Sequence, residues 1–252
     1  MTWYGPVGQQ IYYEDSGRGD TVLLLPGWGG SIIEFSRLRT DLATGFRVVA
    51  VDLPGSGRSQ PQPRHYASTY YMDDARTLLS LLDELRVDVA HLVGFIDGGE
   101  DALLMATLDP GRALSAVTWG AAGQIVAPLG VLDALARLVD DPIQPLKPLA
   151  AYLVEAYGVD NARVMAEREA QALRAIVDSG GDVSRSRATL VTCPALLITG
   201  TYDPFCPPSL VREMADAILG GEFLEAPGAS HDIHQSHPDW LVSSVIDWLG
   251  DH

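Results

Sequence analysis

Short apolar runs alternate with longer amphipathic stretches along most of the chain. Six of these runs are apolar at consecutive positions, a pattern that is typical of parallel strands covered on both faces. They span residues 21–26, 46–52, 89–94, 116–120, 195–200 and 222–226. A further run at residues 11–14 is expected to add an antiparallel strand at one edge of the sheet.

Apolar residues at helical spacing lie between the predicted strands and at the end of the chain. The first set is Met72, Ala75, Leu78, Leu79, Leu82 and Leu85. The second set is Leu241, Val245, Trp248 and Leu249. This alternation predicts an α/β fold with a doubly wound, mostly parallel sheet of about eight strands.

Residues 123–187 interrupt the alternation, because no strand pattern appears there. Three helices are predicted instead, and they span residues 131–139, 149–157 and 161–177. We therefore predict a core of residues 1–122 and 188–252, with residues 123–187 inserted as a helical cap. A cap at this point would cover the crevice at the carboxyl ends of the strands, where open α/β sheets bind ligands.

The composition is that of an acidic globular protein. Of the 252 residues, 47% are apolar and 20% are charged, and 33 acidic against 17 basic residues give a net charge of −16. This charge argues against nucleic acid and against an anionic membrane as partners. Neither a signal peptide nor an apolar run near the ~20 residues of a membrane span is visible, so we expect a cytoplasmic protein.

The two cysteines, Cys193 and Cys206, are expected to be reduced, the first in the core and the second near a pocket. Neither has the spacing of a metal ligand, and no nucleotide or flavin motif appears. The sequence therefore implies no cofactor and no metal. Apolar side chains in the cap indicate a small hydrophobic molecule as substrate or ligand. They are Leu132, Leu135, Leu138, Leu149 and Leu153.

The stretch around Ile96 has the layout of a nucleophile elbow. Residues 94–99 read Gly-Phe-Ile-Asp-Gly-Gly, between an apolar strand and a helix-forming stretch at residues 100–108. In the Gly-x-Ser-x-Gly form of this turn, the central side chain is pushed into the active site. Because Ile96 occupies that place, no acyl-enzyme can form through it.

A register shifted by one residue would make Asp97 the nucleophile. It would place Phe95 where the tight turn needs a small residue, whereas the Ile96 register puts Gly94 and Gly98 at both small positions. The Ile96 register is therefore favoured. The elbow residue usually has a left-handed backbone, which costs an L-residue roughly 1–2 kcal/mol. Isoleucine at this position therefore either has a function in the pocket or was introduced by engineering.

Other turns after predicted strands add further candidate chemistry. Residues 26–30, Pro-Gly-Trp-Gly-Gly, can aim backbone N–H groups at an oxyanion, and residues 52–59 are expected to be structural. Asp203 and His231 each follow a predicted strand, so an acid can orient an imidazole in the crevice. The order along the chain is elbow, acid and histidine.

In these motifs and their order, the chain resembles the α/β-hydrolase superfamily, in the branch of capped small esterases that includes valacyclovir-hydrolase-like proteins and carbon–carbon bond hydrolases. The resemblance runs from Ile11 to Leu249 and is weakest in the cap. It implies His231 as the catalytic base, Asp203 as the acid that orients it, and the amides of Trp28 and Asp97 as the oxyanion hole. We place five further residues at the pocket, and these are Gly27, Phe95, Trp119, Tyr202 and Phe205.

Three functions stay open. The first is an enzyme in which His231 and Asp203 provide acid–base catalysis beside an oxyanion hole, on a small hydrophobic carbonyl substrate and without an acyl-enzyme. This enzyme would be a lyase, a cyclase, an isomerase or a direct hydrolase, and Ile96 would shape its pocket. The second is a serine esterase, lactonase or thioesterase that was inactivated or engineered at Ile96. The third is a ligand-binding pseudoenzyme. His234 is expected at a helix start or on the surface, and the oligomeric state is open.

Overall fold

A mostly parallel sheet of eight strands forms the centre of the computed structural model, which describes residues 2–126 and 129–252. The strands are β1 Thr2–Tyr4, β2 Ile11–Gly17, β3 Thr21–Leu25, β4 Arg47–Val51, β5 Ala90–Phe95, β6 Ala113–Trp119, β7 Ala195–Gly200 and β8 Gly221–Ala226. Their order across the sheet is β1-β2-β4-β3-β5-β6-β7-β8. The β1–β2 and β2–β4 pairings are antiparallel, and the other pairings are parallel.

The six predicted parallel strands and the predicted fold class are confirmed. The prediction for residues 11–14 is half right, because β2 is antiparallel but does not lie at the edge. Thr2–Tyr4 pairs along its outer side. Three residues are too few to show an alternating pattern, and this is why the sequence did not reveal β1.

Helices cover both faces of the sheet. They are α1 Ser36–Leu42, α2 Tyr70–Glu84, α3 Asp97–Leu108, α4 Leu129–Ala136, α5 Lys147–Tyr157, α6 Val159–Asp178, α7 Pro208–Ala217, α8 Ile233–Ser236 and α9 Pro238–Asp251. Successive residues of a strand point to opposite faces. In β3, Leu23 and Leu25 pack with α2 and α3, whereas Val22 and Leu24 pack with α1 and α9. The two apolar layers explain why β3 is apolar at every position from Val22 to Leu25.

The helices α4, α5 and α6 lie between β6 and β7, where the helical insertion was predicted. The Tyr157 hydroxyl at the end of α5 donates to the Gly29 carbonyl (2.8 Å) and accepts from the Gly57 N–H (2.6 Å). These bonds hold α5 against the loops that follow β3 and β4. The division into core and cap stays a prediction. No helix within the described ranges is long and apolar enough to cross a membrane.

One buried carboxylate, Glu100 on α3, connects the two ends of the segment between β6 and β7. Its Oε1 accepts from the N–H groups of Ala122 (3.1 Å) and Gly123 (2.7 Å). Its Oε2 accepts from the Ser184 hydroxyl at 2.6 Å. This segment begins near Gly123 and ends near Ser184. Glu100 therefore holds both of its ends against α3, the helix that begins at the elbow.

Candidate active site

Ile96 forms the sharp turn between β5 and α3. Its backbone has φ 49° and ψ −112°, a conformation that costs a residue with a side chain on the order of 1–3 kcal/mol. A Cβ on Gly94 would lie 2.1 Å from the Gly98 carbonyl oxygen, and one on Gly98 would lie 2.4 Å from that of Leu25. The turn therefore needs glycine on both sides of Ile96, as the predicted register requires.

His231 and Asp203 meet at the carboxyl end of the sheet. The His231 Nδ1 lies 2.8 Å from the Asp203 Oδ2, and the Asp203 side chain is fully buried. The other oxygen, Oδ1, accepts from the N–H groups of Phe205 and Cys206, both at 2.9 Å. An ionised carboxylate only accepts hydrogen bonds, so Nδ1 carries the ring proton and the lone pair lies on Nε2. That nitrogen can act as a base.

The isoleucine side chain and the imidazole both border Gly120. A Cβ on Gly120 would lie 3.0 Å from the His231 Cε1 and 3.2 Å from the Ile96 Cγ1. A Cβ on Gly27 would lie 3.3 Å from both the Cβ and the Cδ1 of Ile96. Two glycines thus leave the space that Ile96 fills. The His231 ring also contacts Phe205, at 5.0 Å between ring centroids, so the base faces an apolar wall.

The loop after β3 is tied to the elbow, where the oxyanion amides were predicted. The Gly98 N–H donates to the Pro26 carbonyl at 3.1 Å, and the Gly29 N–H donates to the Ser56 hydroxyl at 3.2 Å. Ser56 belongs to the stretch 52–59 that was expected to be structural. Among the described residues, the Asp97 N–H has no hydrogen-bond acceptor. This amide is therefore available to a ligand oxygen.

The predicted pocket residues occupy three different environments. Gly27 lies beside Ile96, and Phe205 lies beside His231. Phe95 is 2% exposed, and its ring lies 5.4 Å from that of His231. Trp119 is fully buried and stacks on Phe95 in the core, and Tyr202 is 71% exposed. The structure thus brings Phe95 and Phe205 to the histidine and Gly27 to Ile96, whereas Trp119 lies in the core and Tyr202 on the surface.

His234 is the second residue of α8, as the helix-start alternative expected, and its side chain does not lie on the surface. Its side chain is 4% exposed, and Nε2 lies 3.3 Å from the Glu34 Oε1. The Trp119 indole N–H donates to Nδ1 at 3.4 Å. The partners Glu34 and Trp119 are far from His234 in the sequence, so no local pattern could indicate this contact.

A group of buried acids lies beside the elbow, and sequence reasoning missed it. The Tyr70 hydroxyl on α2 lies 2.8 Å from the Glu169 Oε1 on α6 and 3.1 Å from the Asp97 Oδ1. The single phenol proton can serve only one carboxylate, so the second contact requires a protonated carboxyl that donates to Tyr70. The Glu169 Oε2 is buried and has no hydrogen-bond partner among the described residues.

Burial governs the pKa values of this group. It raises the pKa of Asp97 to about 6, although hydrogen bonds from Tyr71 and Tyr70 and the nearby N–H of Trp28 lower it. Burial, followed by the charge of Asp97, raises the pKa of Glu169 well above its usual range. A carboxyl whose pKa is higher in the folded chain than in the unfolded chain stabilises the fold at low pH. That contribution is lost as the pH rises through the folded pKa.

Replacing Glu169 by glutamine is therefore expected to weaken the pH dependence of stability. For the unaltered chain, the free energy of unfolding should fall as the pH rises from about 4, because the acids then ionise in the unfolded chain but keep their protons in the fold. The fall continues through about pH 6, the pKa of Asp97, and further for Glu169, whose pKa is raised well above its usual range. In Glu169→Gln this fall should be smaller by at least about 1 kcal/mol, roughly the free energy of one pKa unit. Urea denaturation at about pH 5 and about pH 8 measures it.

The control for this prediction is Glu167→Gln, a change of the same type at an exposed position of α6. It should leave the difference between the two pH values unchanged. An equal fall in stability for Glu169→Gln and the natural chain would mean that Glu169 is not held protonated.

A sequence profile of the Alpha/beta hydrolase family matches residues 22–244, and the chain therefore belongs to this family. The human protein Serine hydrolase BPHL is 30% identical over 247 residues, which cover 96% of this chain and 84% of that protein. The 2-hydroxy-6-oxononadienedioate/2-hydroxy-6-oxononatrienedioate hydrolase 1 of Dechloromonas aromatica is 26% identical over 273 residues, which cover 97% and 92%. The matched region includes the elbow, the acid and the histidine.

Solved structures show the same fold. The enol-lactonase from Burkholderia xenovorans LB400 has a TM-score of 0.81 at 21% identity and covers 99% of this chain and 100% of its own. A thermophilic esterase from Thermogutta terrifontis has a TM-score of 0.76 at 20% identity, with 96% and 93% covered. The α/β-hydrolase fold is therefore confirmed along almost the whole chain.

Proposed function

We propose that this protein is an enzyme that acts on a small hydrophobic carbonyl compound by general acid–base catalysis, without an acyl-enzyme. The observation that carries the proposal is the pairing of His231 with the fully buried Asp203, at 2.8 Å, beside an elbow residue that has no nucleophilic atom. A positioned histidine base accelerates proton transfer typically 10²–10⁴-fold.

The backbone supplies the second part of the proposed chemistry. When His231 removes a proton from the substrate or from a water molecule, negative charge develops on the carbonyl oxygen. The N–H of Asp97 has no acceptor among the described residues and stands at the start of α3, where the helix dipole favours negative charge. The Trp28 amide, whose N–H lies near the Asp97 carboxylate, is proposed as the second donor. Ile96 then excludes water and presses on the substrate.

The acid–base assignment gains support from what surrounds the dyad. Asp203 is hydrogen-bonded at both oxygens, by His231 and by the N–H groups of Phe205 and Cys206. Such a carboxylate holds the imidazole in one orientation and one tautomer. Ile96 and Phe205 give the base an apolar surrounding, which suits a hydrophobic substrate.

Two similar proteins suggest substrates for a first assay. The Dechloromonas aromatica relative is named for its action on 2-hydroxy-6-oxononadienedioate. A Chromobacterium violaceum relative, 27% identical over 262 residues, is named a pimeloyl-(acyl-carrier protein) methyl ester esterase and is covered over 98% of its length. The two substrate classes to compare are therefore compounds cleaved at a carbon–carbon bond between carbonyl groups, and simple esters.

The test is turnover combined with mass spectrometry of the quenched protein. We expect slow turnover of the 2-hydroxy-6-oxo substrate or of a methyl ester, with the intact mass of the chain unchanged throughout the reaction. An acyl adduct on the chain, or no turnover in either substrate class, would contradict the proposed mechanism.

A second candidate is a serine hydrolase whose nucleophile position was changed to Ile96. The observation in its favour is the backbone of this residue, since φ 49° suits a β-branched side chain poorly. The relative that is 30% identical is also named a serine hydrolase. This candidate predicts that the chain with Ile96 turns over no carbonyl substrate at all.

A further inference from the structure

Three side chains with different metal-binding atoms meet at the end of β7 and β8. A carboxylate oxygen of Asp203, the sulfur of Cys206 and a ring nitrogen of His231 all lie within 4.8 Å of one another. Asp203 and Cys206 share the turn after β7, and His231 comes from the loop after β8. The third donor is thus distant in sequence, which is why the spacing of Cys206 alone indicated no metal ligand.

We infer that Asp203, Cys206 and His231 form a binding site for a divalent metal of the zinc type. Thiolate, imidazole and carboxylate are the donors that Zn²⁺ takes, at about 2.0–2.3 Å, and three protein ligands leave a fourth position open. Donor atoms around a tetrahedral ion lie roughly 3–4 Å apart by this geometry. The three donors therefore need to move inward by about 1 Å at most.

The surroundings of the donors resemble the outer shell of a metal site. The Asp203 Oδ1 accepts from two backbone N–H groups at 2.9 Å, so Oδ2 alone is left for a metal. The Thr199 hydroxyl on β7 donates to the Cys206 carbonyl at 2.6 Å and so ties the turn to the strand. Hydrogen bonds of this kind orient metal ligands and tune their affinity. Cys206 and Asp203 are both buried, which shields the site from competing water.

The proton balance of the binding step is defined by the same geometry. The Cys206 thiol releases its proton to solvent and becomes a thiolate. The His231 proton leaves Nδ1, which takes the metal, and is placed on Nε2. The thiolate and the Asp203 carboxylate together neutralise the two charges of the ion. One proton is therefore released per metal ion bound.

Metal binding has a consequence for catalysis, and this part rests on the proposed function. With the metal on Nδ1, the His231 Nε2 carries the ring proton and can no longer accept one. The metal would also displace the hydrogen bond to Asp203 that orients the ring. Zinc is thus expected to switch the base off reversibly, and a chelator should restore it. Binding itself does not depend on the proposed reaction.

The experiment titrates the full-length chain with Zn²⁺ by calorimetry and with Cd²⁺ by ultraviolet absorption of the cadmium–thiolate bond. The natural chain and Cys193→Ser should each bind one equivalent, with release of one proton per Zn²⁺ when two buffers are compared. Cys206→Ser should lose more than about 100-fold in affinity, beyond the 10–100-fold that outer-shell changes cost. It should also lose the cadmium absorption. Cys193 is the matched control, since it is the other buried free cysteine.

Stoichiometric binding that survives in Cys206→Ser, or a natural chain that binds neither ion, would overturn the inference. If Cys206→Ser fails to fold, ¹¹³Cd NMR of the natural chain decides the question. A shift typical of one sulfur ligand with nitrogen and oxygen supports the site, and a shift typical of oxygen ligands alone contradicts it. A chain that binds zinc but shows no turnover would separate this inference from the proposed function.

Discussion

Ile96→Ser is expected to make the chain react covalently with a fluorophosphonate probe and hydrolyse short p-nitrophenyl esters. The new hydroxyl would stand at the elbow, next to the His231 imidazole that can remove its proton. Loss of the nucleophile from a serine hydrolase costs on the order of 10⁶-fold. A gain of on the order of 10³-fold over the natural chain is therefore a conservative expectation.

Two variants separate the new chemistry from a simple change in pocket size. Ile96→Ala removes the isoleucine bulk without adding a nucleophile and should not be labelled. Ile96→Ser combined with His231→Gln retains the serine but lacks the base, and its labelling rate should fall by about 10²–10⁴-fold. A folded Ile96→Ser chain that is neither labelled nor active would show that the elbow, the dyad and the amides do not form a working site.

Replacing His231 by glutamine is expected to reduce turnover of the natural chain by about 10²–10⁴-fold, the range that a general base contributes. Asp203→Asn should have an effect in the same range, although Asn can still accept from the N–H groups of Phe205 and Cys206. The amide cannot hold the His231 proton on Nδ1 as a carboxylate does, and the wrong tautomer presents a proton instead of a lone pair.

The control is His65→Gln, which changes an exposed histidine. It should leave turnover unchanged. Steady-state rates with the carbonyl substrate that the natural chain accepts, together with thermal melting of each variant, provide the measurement. Unchanged turnover in a folded His231→Gln chain would exclude acid–base catalysis by this residue. The rate would then have to come from another group in the pocket.

Fold prediction succeeded where the signal was local and repeated. Strands such as β5 and β7 are buried at every position and are apolar at most of them, because helices cover both of their faces. The elbow was recognised because glycine is needed at two fixed positions around Ile96, and a Cβ at either would collide with the backbone. Sequence reasoning failed for β1, which is too short to carry a pattern and exists because β2 offers a free edge.

The sequence did not indicate which buried polar side chains hydrogen-bond to one another. Tyr70 and Glu169 are 99 residues apart, yet they share a hydrogen bond at 2.8 Å beside the elbow. Glu169 lies on an amphipathic helix where a single acid has no distinguishing pattern. Glu34 likewise contacts His234, although the two residues lie near opposite ends of the sequence. Residues like these acquire their roles only when distant elements pack.

The sequence by itself determined the class of fold, and it predicted where the elbow lies and which residues are proposed as the acid and the base. It did so because strand periodicity, tight-turn glycines and motif order are local properties of the chain. Only the tertiary structure decided which side chains share buried protons, and that Cys206 stands within reach of Asp203 and His231. The reason is physical: hydrogen bonds, desolvation and metal coordination depend on distances between atoms, and chain folding sets those distances.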